Sequence, residues 1–300
     1  MYRNFDPASL GISGRPSEVI ELALNYGFRG MDLDLDEFAR SADDKGFDWA
    51  ARYLPRRQLK ITGGDLPVDL GATETEFTVQ LEQLAQRLPY FTQLGVETLY
   101  YVVSPSSPQR PYHENFELHR TRLLRVSDLL RPTEICVAIG MNAVQSEREA
   151  GAYQFVWQSD ALTTLVKTVG ADNVGLLLDT WQWHLGGGTI AKLQDFPVSL
   201  VATVRMADLP TDFNLLSVTR DDRLMPATTG VVPNSEIWNW LAQGQYQRGI
   251  TVAPSSAATR GLTRDRTVAR SVEALDLVQQ GELFKNLNDS ALSSASSAAL

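Results

Sequence analysis

Residues 174–188 read VGLLLDTWQWHLGGG, an apolar run that ends at Asp179 and continues into aromatic and polar side chains. A strand this apolar is covered on both faces, as the strands of parallel α/β sheets are. In such sheets the functional residues lie at the carboxyl ends of the strands. The segment therefore predicts a buried parallel strand over residues 174–179, with a functional site where that strand ends.

Short apolar runs alternate with amphipathic segments along the rest of the chain, which indicates repeated β-α units. The predicted strands are Leu10–Ser13, the run GMDLDLD from Gly30, Leu59–Thr62, Thr98–Val103, Glu134–Ile139, Val174–Asp179, Leu200–Met206 and Ile250–Ala253. The predicted helices are one that opens at Pro16 and stops at Gly27, then Phe47–Leu54, Glu74–Leu94, Asn115–Leu130, Asp160–Val169, Thr189–Phe196, Asn234–Gln243 and Thr267–Gln280.

Eight strand-helix units in a chain of 300 residues predict one α/β domain, a closed (β/α)8 TIM barrel over residues 1–285. A doubly wound open sheet is the alternative architecture, but the chain has no glycine-rich dinucleotide fingerprint to favour it. The segment SALSSASSAAL near the carboxyl terminus is small and polar, so residues 286–300 are predicted to form a disordered tail.

Composition restricts the partners. The formal net charge is −9 with scattered Lys and Arg, which disfavours nucleic acid because its phosphates would be repelled. No run approaches the roughly 18 apolar residues of a membrane span, and the start of the chain lacks a signal-peptide pattern. The single Cys136 excludes an intrachain disulfide, so we expect a cytoplasmic protein.

The predicted strand ends carry a short inventory of polar or unusual residues. They are Asp32, Asp34 and Asp36 after the second strand, Asp65 after the third, Ser104–Ser107 after the fourth, Gly140 and Asn142 after the fifth, Asp179, Gln182 and His184 after the sixth, Arg205 and Asp208 after the seventh, and Ala253 and Ser255 after the eighth.

Several of these segments carry a family resemblance. In order, NYGFRGMDLDL, GVETLYYVV, NVGLLLDTWQWHLGGGT, LVATVRMADLP, RLMPATTG and GITVAP resemble the strand segments of the xylose isomerase-like sugar phosphate isomerase/epimerase family. The resemblance spans roughly residues 10–280. It implies a barrel in which two Glu, one Asp and one His hold a divalent metal, and in which the two Glu move a proton between neighbouring carbons of a sugar.

Position by position, the resemblance leaves Asp179 as the only retained ligand of four. The first Glu position is Gly140, the His position is Arg205, and the second Glu position is Ala253. A hard divalent cation needs several oxygen or imidazole ligands, and a permanently charged guanidinium repels it. We therefore expect no metal cofactor, and we expect Arg205 to pair with Asp179 or with Asp208.

The main hypothesis is a barrel of this family that has lost its metal site and either binds a small sugar-like, polar or anionic metabolite or is catalytically silent. The candidate catalytic residues are Asp179 and His184. The predicted ligand-binding residues are Asp34, Asp179, Gln182, Arg205, Asp208 and Arg223.

The second hypothesis is an active isomerase or epimerase that uses Asp34, Asp65 or His184 as unusual ligands or base for Mn²⁺, Mg²⁺ or Zn²⁺. An endonuclease of the same superfamily is disfavoured, because it needs many His and Asp ligands and a basic face, and this sequence has neither. Self-association into a homo-oligomer stays open.

Overall fold

The computed structural model describes residues 1–55 and 58–284, and in it eight parallel strands close into a barrel. Each strand pairs with its neighbours in the chain, and the first pairs with the last, so the predicted (β/α)8 architecture is confirmed. The strands are β1 (Tyr2–Phe5), β2 (Gly30–Asp32), β3 (Lys60–Asp65), β4 (Thr98–Val103), β5 (Cys136–Met141), β6 (Val174–Asp179), β7 (Val201–Met206) and β8 (Gly249–Val252).

Helices surround the barrel, and short helices follow several strand ends. They are α1 (Pro16–Asn25), α2 (Leu35–Lys45), α3 (Phe47–Ala50), α4 (Glu74–Leu94), α5 (Tyr112–Leu130), α6 (Gln145–Arg148), α7 (Ser159–Val169), α8 (Thr180–Leu185), α9 (Ile190–Gln194), α10 (Asn234–Gln243) and α11 (Arg264–Gln280). Local sequence sets the ends of α4: Thr73 and Glu76 form a capping box, and Gly95 ends the helix at a φ of 74°.

The first strand is not where the sequence predicted it. Residues 10–13, predicted as a strand, lie in a turn region, and Tyr2–Phe5 forms β1 instead. The strand was missed because a side chain that it turns into the barrel interior is polar, and a search for apolar patterns does not find such a strand. Asn4 is fully buried there and donates hydrogen bonds to Asp32 and to Thr251, each at 2.9 Å.

The run GMDLDLD also differs from its prediction, because the strand stops at Asp32 and α2 begins at Leu35. Asp34 is the N-cap of α2 and accepts a hydrogen bond from the backbone N–H of Glu37 at 2.8 Å. An N-cap carboxylate satisfies a free N–H of the first helical turn, which favours the helix over a longer strand. The helix predicted over Phe47–Leu54 is shorter, ending at Ala50.

Inside the barrel, a small apolar cluster separates the two ends. It consists of Tyr100, Ala138, Leu177 and Ala202. The carboxyl ends of the strands lie beyond this cluster, and the pairing register places Asp179 of β6 directly beside Arg205 of β7. These two strand ends therefore lie side by side at the carboxyl end of the barrel.

No helix in the described ranges is long and apolar enough to cross a membrane. The predicted carboxyl-terminal tail, residues 286–300, lies outside the described residues.

Candidate functional site

Asp179, which the resemblance places at a metal-ligand position, is paired with an arginine that the loop after β7 supplies. Arg223 donates from Nη2 to Oδ2 of Asp179 at 2.8 Å, and from Nε to the backbone carbonyl of Ala253 at 2.9 Å. Both side chains are largely buried, with 13% of Arg223 and 11% of Asp179 exposed. The ends of β6 and β8 are thus tied together by one guanidinium.

The second carboxylate oxygen of Asp179 is also engaged. Oδ1 accepts a hydrogen bond from the backbone N–H of Gln182 at 3.0 Å, which makes Asp179 the N-cap of α8. Gln182 in turn accepts from the backbone N–H of Ala143 at 2.7 Å. Trp181 and Trp183, which follow the same strand, are buried and pack below the loop, and the Arg223 guanidinium lies 5.1 Å from the ring centre of Trp181.

Asp208 is fully buried and is bonded to its own loop. Its two oxygens accept hydrogen bonds from the backbone N–H groups of Leu209, Thr229, Gly230 and Val232, at 2.8–3.0 Å. Four backbone donors satisfy a carboxylate without any cation. Asp208 therefore holds the Leu209–Val232 loop in place and does not pair with Arg205.

Arg205 is a buried cation that makes no polar contact with the described residues. In the described ranges its guanidinium has neither a hydrogen-bond nor an ion-pair partner, and it lies 4.9 Å from the ring centre of Tyr100. Burial alone would lower the pKa of Arg205, but the nearby carboxylates of Asp6, Asp32 and Asp179 raise it above its ordinary value. The expected pairing with Asp179 or Asp208 is not formed, because other donors occupy both carboxylates.

A pocket of about 430 Å³ opens between Arg205 and the ends of β2 and β3. It is lined by Ala8, Asp32, Leu33, Asp34, Leu35, Asp36, Arg40, Gly64, Asp65, Leu66, Pro67, Tyr100 and Arg205. Of the predicted site residues it brings Asp34 and Arg205 together, with Asp65 from the second hypothesis. Asp179, Gln182, Asp208 and Arg223 do not line it.

His184 also lies outside this pocket. Its ring packs against Phe213 with the ring centres 5.9 Å apart, and burial lowers its pKa. A neutral histidine beneath a loop has a packing role, and it is not placed to act on a ligand held by Arg205.

The positions that the resemblance assigns to metal ligands offer few ligand atoms. Gly140 has no side chain, and a Cβ placed there would lie 3.2 Å from Cδ2 of Leu177. Arg205 and Ala253 supply no ligand atoms, and Arg223 occupies one oxygen of Asp179. Within residues 1–55 and 58–284, no group of three or more His, Cys, Asp or Glu side chains is arranged to hold a metal ion. This donor set does not fit a divalent metal.

A loop-to-loop ion pair lines a second cavity, which shares Asp36, Leu66 and Pro67 with the pocket beside Arg205. Arg220, before Arg223, donates to both carboxylate oxygens of Glu147 at 2.7 and 2.8 Å, and Asn142 donates to the same carboxylate. The bridge joins the loops after β5 and β7. Together with the Arg223 pair, it connects the loop after β7 to the loop after β5 and to the end of β6.

Sequence reasoning missed two residues that shape the pocket electrostatics, Asp6 and Tyr100. Asp6 directly follows β1, a strand that was predicted in the wrong place. Tyr100 lies within β4, and its hydroxyl donates to Oδ1 of Asp32 at 2.9 Å. A tyrosine flanked by apolar residues gave no sign that it faces the interior. The alternation of β4 together with the correct register would have identified it.

A closed barrel with polar side chains at the carboxyl ends of its strands defines the class of TIM-barrel proteins that place their sites at this end. The sequence profile of the family described as xylose isomerase-like TIM barrel matches residues 20–276. The chain belongs to this family. The resemblance noted from the strand segments is confirmed.

Among curated proteins, an inosose isomerase from Halalkalibacterium halodurans is 30% identical over 88 residues. That segment is 29% of this chain and 30% of the relative, so the match spans less than a third of either protein.

Solved structures share the fold over nearly the whole chain. A xylose isomerase domain protein from Alicyclobacillus acidocaldarius is 23% identical with a TM-score of 0.80, covering 93% of this chain and 98% of that one. An IolI protein with a bound zinc atom is 18% identical with a TM-score of 0.78, covering 95% and 100%. A D-psicose 3-epimerase from Clostridium cellulolyticum, solved with D-tagatose, is 12% identical with a TM-score of 0.74, covering 95% and 100%.

Proposed function

We propose that this protein binds a small, neutral, polyhydroxylated carbonyl compound, a ketose or a keto-cyclitol, in the pocket beside Arg205, without a metal ion. The observation that carries the proposal is the 2.8 Å pair between Arg223 and Asp179. Because Arg223 occupies this carboxylate, Asp179 is not free to bind a metal ion. The ligand is then recognised by the free guanidinium of Arg205 and by the carboxylates across the pocket.

The charge of the pocket favours a neutral ligand over an anionic one. Four carboxyl groups line it, those of Asp32, Asp34, Asp36 and Asp65, against the two guanidinium groups of Arg40 and Arg205. Asp36 is already paired with Arg87, so an anion would meet the carboxylates of Asp34 and Asp65 beside the two guanidinium groups and gain little net attraction, whereas sugar hydroxyls donate readily to carboxylates. A carbonyl oxygen accepts from the guanidinium of Arg205. Donors and acceptors of a hydroxy ketone thus both find partners.

The size of the pocket agrees with this ligand class, since about 430 Å³ lies within the usual range of roughly 300–1,000 Å³ for small-molecule sites. The names of the relatives point to the same compounds: an inosose isomerase, and D-psicose 3-epimerases solved with D-tagatose or with D-fructose. We further propose a cytoplasmic location, because a chain with the single Cys136 needs no oxidising compartment.

Calorimetric titration tests the proposal directly. The purified protein is treated with a chelator, dialysed, and titrated with D-tagatose, D-fructose, inosose and, as an anionic counterpart, D-fructose 6-phosphate. We expect at least one neutral compound to bind at one site, and the phosphorylated sugar to bind more weakly. Arg205→Gln removes a charged hydrogen-bond donor and should raise the Kd at least tenfold.

The matched control is Arg131→Gln, because Arg131 is an exposed arginine at the end of α5 that pairs with Asp128 far from the pocket. Its Kd should equal that of the unmodified protein. Binding that disappears after chelation and returns with added Zn²⁺ or Mn²⁺ would refute the proposal, as would an Arg205→Gln variant that binds with unchanged affinity.

A further inference from the structure

The carboxyl group of Asp32, at the end of β2, is only half satisfied. Its Oδ1 accepts hydrogen bonds from Nδ2 of Asn4 and from the hydroxyl of Tyr100, both at 2.9 Å. Its Oδ2 is buried and has no hydrogen-bond partner in the described part of the chain. Buried polar atoms in native proteins are rarely left unpaired, and an exception calls for a functional explanation.

Asp32 lines the same pocket as Arg205 and Tyr100. The three residues come from β2, β7 and β4, and the Arg205 guanidinium stands 4.9 Å from the Tyr100 ring centre. A proton acceptor with one free oxygen and an uncommitted cation therefore share one cavity on a rigid barrel.

The surroundings of Asp32 set its affinity for a proton. Burial raises the pKa of Asp32 to about 7, and the carboxylate of Asp6 also raises it, while Arg205, Asn4 and Tyr100 lower it. Tyr2, whose own pKa is raised by burial, faces the same interior. A carboxyl group that titrates near neutral pH can both accept and return a proton during a reaction.

We infer that Asp32 is the base of a metal-free proton-transfer site: its carboxylate removes a proton from the carbon beside the carbonyl of a bound hydroxy ketone, while Arg205 stabilises the resulting enolate oxygen. This inference rests on the proposed function, because it needs a ketone held beside Arg205. It assigns chemistry to Asp32 of β2 and Tyr100 of β4, which lie outside the positions where the family resemblance places metal ligands, and to Arg205 of β7, which stands at the His position.

The step is balanced without a co-reactant. The C–H bond breaks and an O–H bond forms on the Asp32 carboxylate. The C–H electron pair becomes the C=C bond of the enolate, and the carbonyl π pair moves to the oxygen, where the positive charge of Arg205 offsets the negative charge. Return of the proton from Asp32 to carbon restores a ketone. In D₂O the proton on Asp32 is replaced by deuterium, so the carbon gains the label.

The test is deuterium incorporation into D-tagatose, D-fructose and inosose in D₂O, followed by ¹H NMR with the chelator-treated protein. We expect label at the carbon beside the carbonyl for whichever compound calorimetry shows to bind. Asp32→Asn should slow incorporation at least 100-fold, in the range that removal of a general base produces, while ligand binding stays within a few-fold. The control Asp128→Asn changes an exposed carboxylate on α5 and should leave the rate unchanged.

Tyr100→Phe gives a second, independent measurement should Asp32→Asn fold poorly. The Tyr100 hydroxyl lowers the pKa of Asp32, so its removal should move the midpoint of the rising pH profile of incorporation to higher pH. A ligand that binds without gaining deuterium, an Asp32→Asn variant with the unmodified rate, or a midpoint unchanged in Tyr100→Phe would overturn this inference alone. Absence of binding by every compound would instead overturn the proposed function.

Discussion

Arg223 and Asp179 are joined by a 2.8 Å hydrogen bond between Nη2 and Oδ2, across 44 residues of sequence. Nε of the same guanidinium bonds the carbonyl of Ala253, so one side chain connects the ends of β6 and β8. A cation supplied by the chain thus stands against the carboxylate that the resemblance places at a metal-ligand position. The interaction is both an element of stability and an obstacle to metal binding.

Replacing Arg223 should destabilise the barrel. Arg223→Leu leaves Asp179 largely buried without its cation, which costs about 3 kcal/mol in comparable buried pairs. Arg223→Lys keeps the charge and loses the paired donors, so a smaller loss of about 1 kcal/mol is expected. Urea unfolding monitored by circular dichroism measures both. Equal midpoints for the two variants would show that the charge of Arg223 is not what Asp179 needs.

Metal affinity should return only when Arg223 is also removed. Arg205→His with Ala253→Glu supplies two donors next to Asp179, but Arg223 still occupies the Asp179 carboxylate. We expect the double variant to bind Zn²⁺ weakly and the triple variant with Arg223→Leu to bind it at least tenfold more tightly, since three ligands are the minimum of catalytic zinc sites. Calorimetry with Zn²⁺ measures the difference. Equal affinities would contradict the role given to Arg223.

Asp208→Asn should unfold the protein more readily without a direct effect on the pocket. Four backbone N–H groups bond its carboxylate, and an amide would turn an NH₂ group toward some of them. The expected loss is about 3 kcal/mol, from buried donors left without acceptors. Asp212→Asn, an exposed aspartate in the same loop, is the control and should change thermal stability little. Ketose affinity measured below the unfolding range should stay the same in both variants.

The stability of the protein should fall in acid partly through His119. This histidine is buried on α5, and burial lowers its pKa to about 4 from the ordinary 6.5. Between these values the unfolded chain binds the proton and the folded protein does not, so the free energy of unfolding decreases as pH drops from 6.5 to 4, by about 3 kcal/mol. In His119→Gln the free energy of unfolding should not show this decrease with falling pH. In His113→Gln, which changes an exposed histidine, the decrease should remain.

The contribution of Asp32 to stability should have the opposite pH dependence to that of His119. Because its folded-state pKa is raised to about 7, the folded protein holds a proton that the unfolded chain releases near pH 4. The contribution of Asp32 to stability therefore decreases as pH rises from about 4 to 7 and is constant above that. Asp32→Asn carries no titrating group, so the difference in unfolding free energy, variant minus unmodified, should increase over this interval. A difference independent of pH would contradict the raised pKa.

Most of the architecture could be predicted because it depends on apolar periodicity. The bounds of Glu74–Leu94, Thr98–Val103, Val174–Asp179 and Asn234–Gln243 agree with the structure, since each has a clear repeat and a distinct end signal. The strand Tyr2–Phe5 was missed because its inward side chains include the polar Asn4. Polar interior residues make no hydrophobic pattern, although the barrel satisfies them by hydrogen bonds across strands.

The site was less predictable, because its contacts depend on distances that sequence does not encode. The absence of Glu at positions 140 and 253 was visible, and so was the arginine at 205. That Arg223 and not Arg205 holds Asp179, and that backbone donors occupy Asp208, depends on the path of the Leu209–Val232 loop. Because β1 was predicted in the wrong place, Asp6 was not recognised as one of the carboxylates that raise the pKa of Arg205.

The contact between Gly140 and Leu177 has a consequence for redesign. Side-chain carbons of Leu177 lie 3.2–3.6 Å from where a Cβ at position 140 would stand, so a larger residue there would have to shift the end of one flexible side chain slightly. Crowding at Gly140 is therefore a small obstacle. The loop that carries Arg223 and encloses Asp208 is the part of the scaffold that a designer would have to rebuild before a metal could be held there.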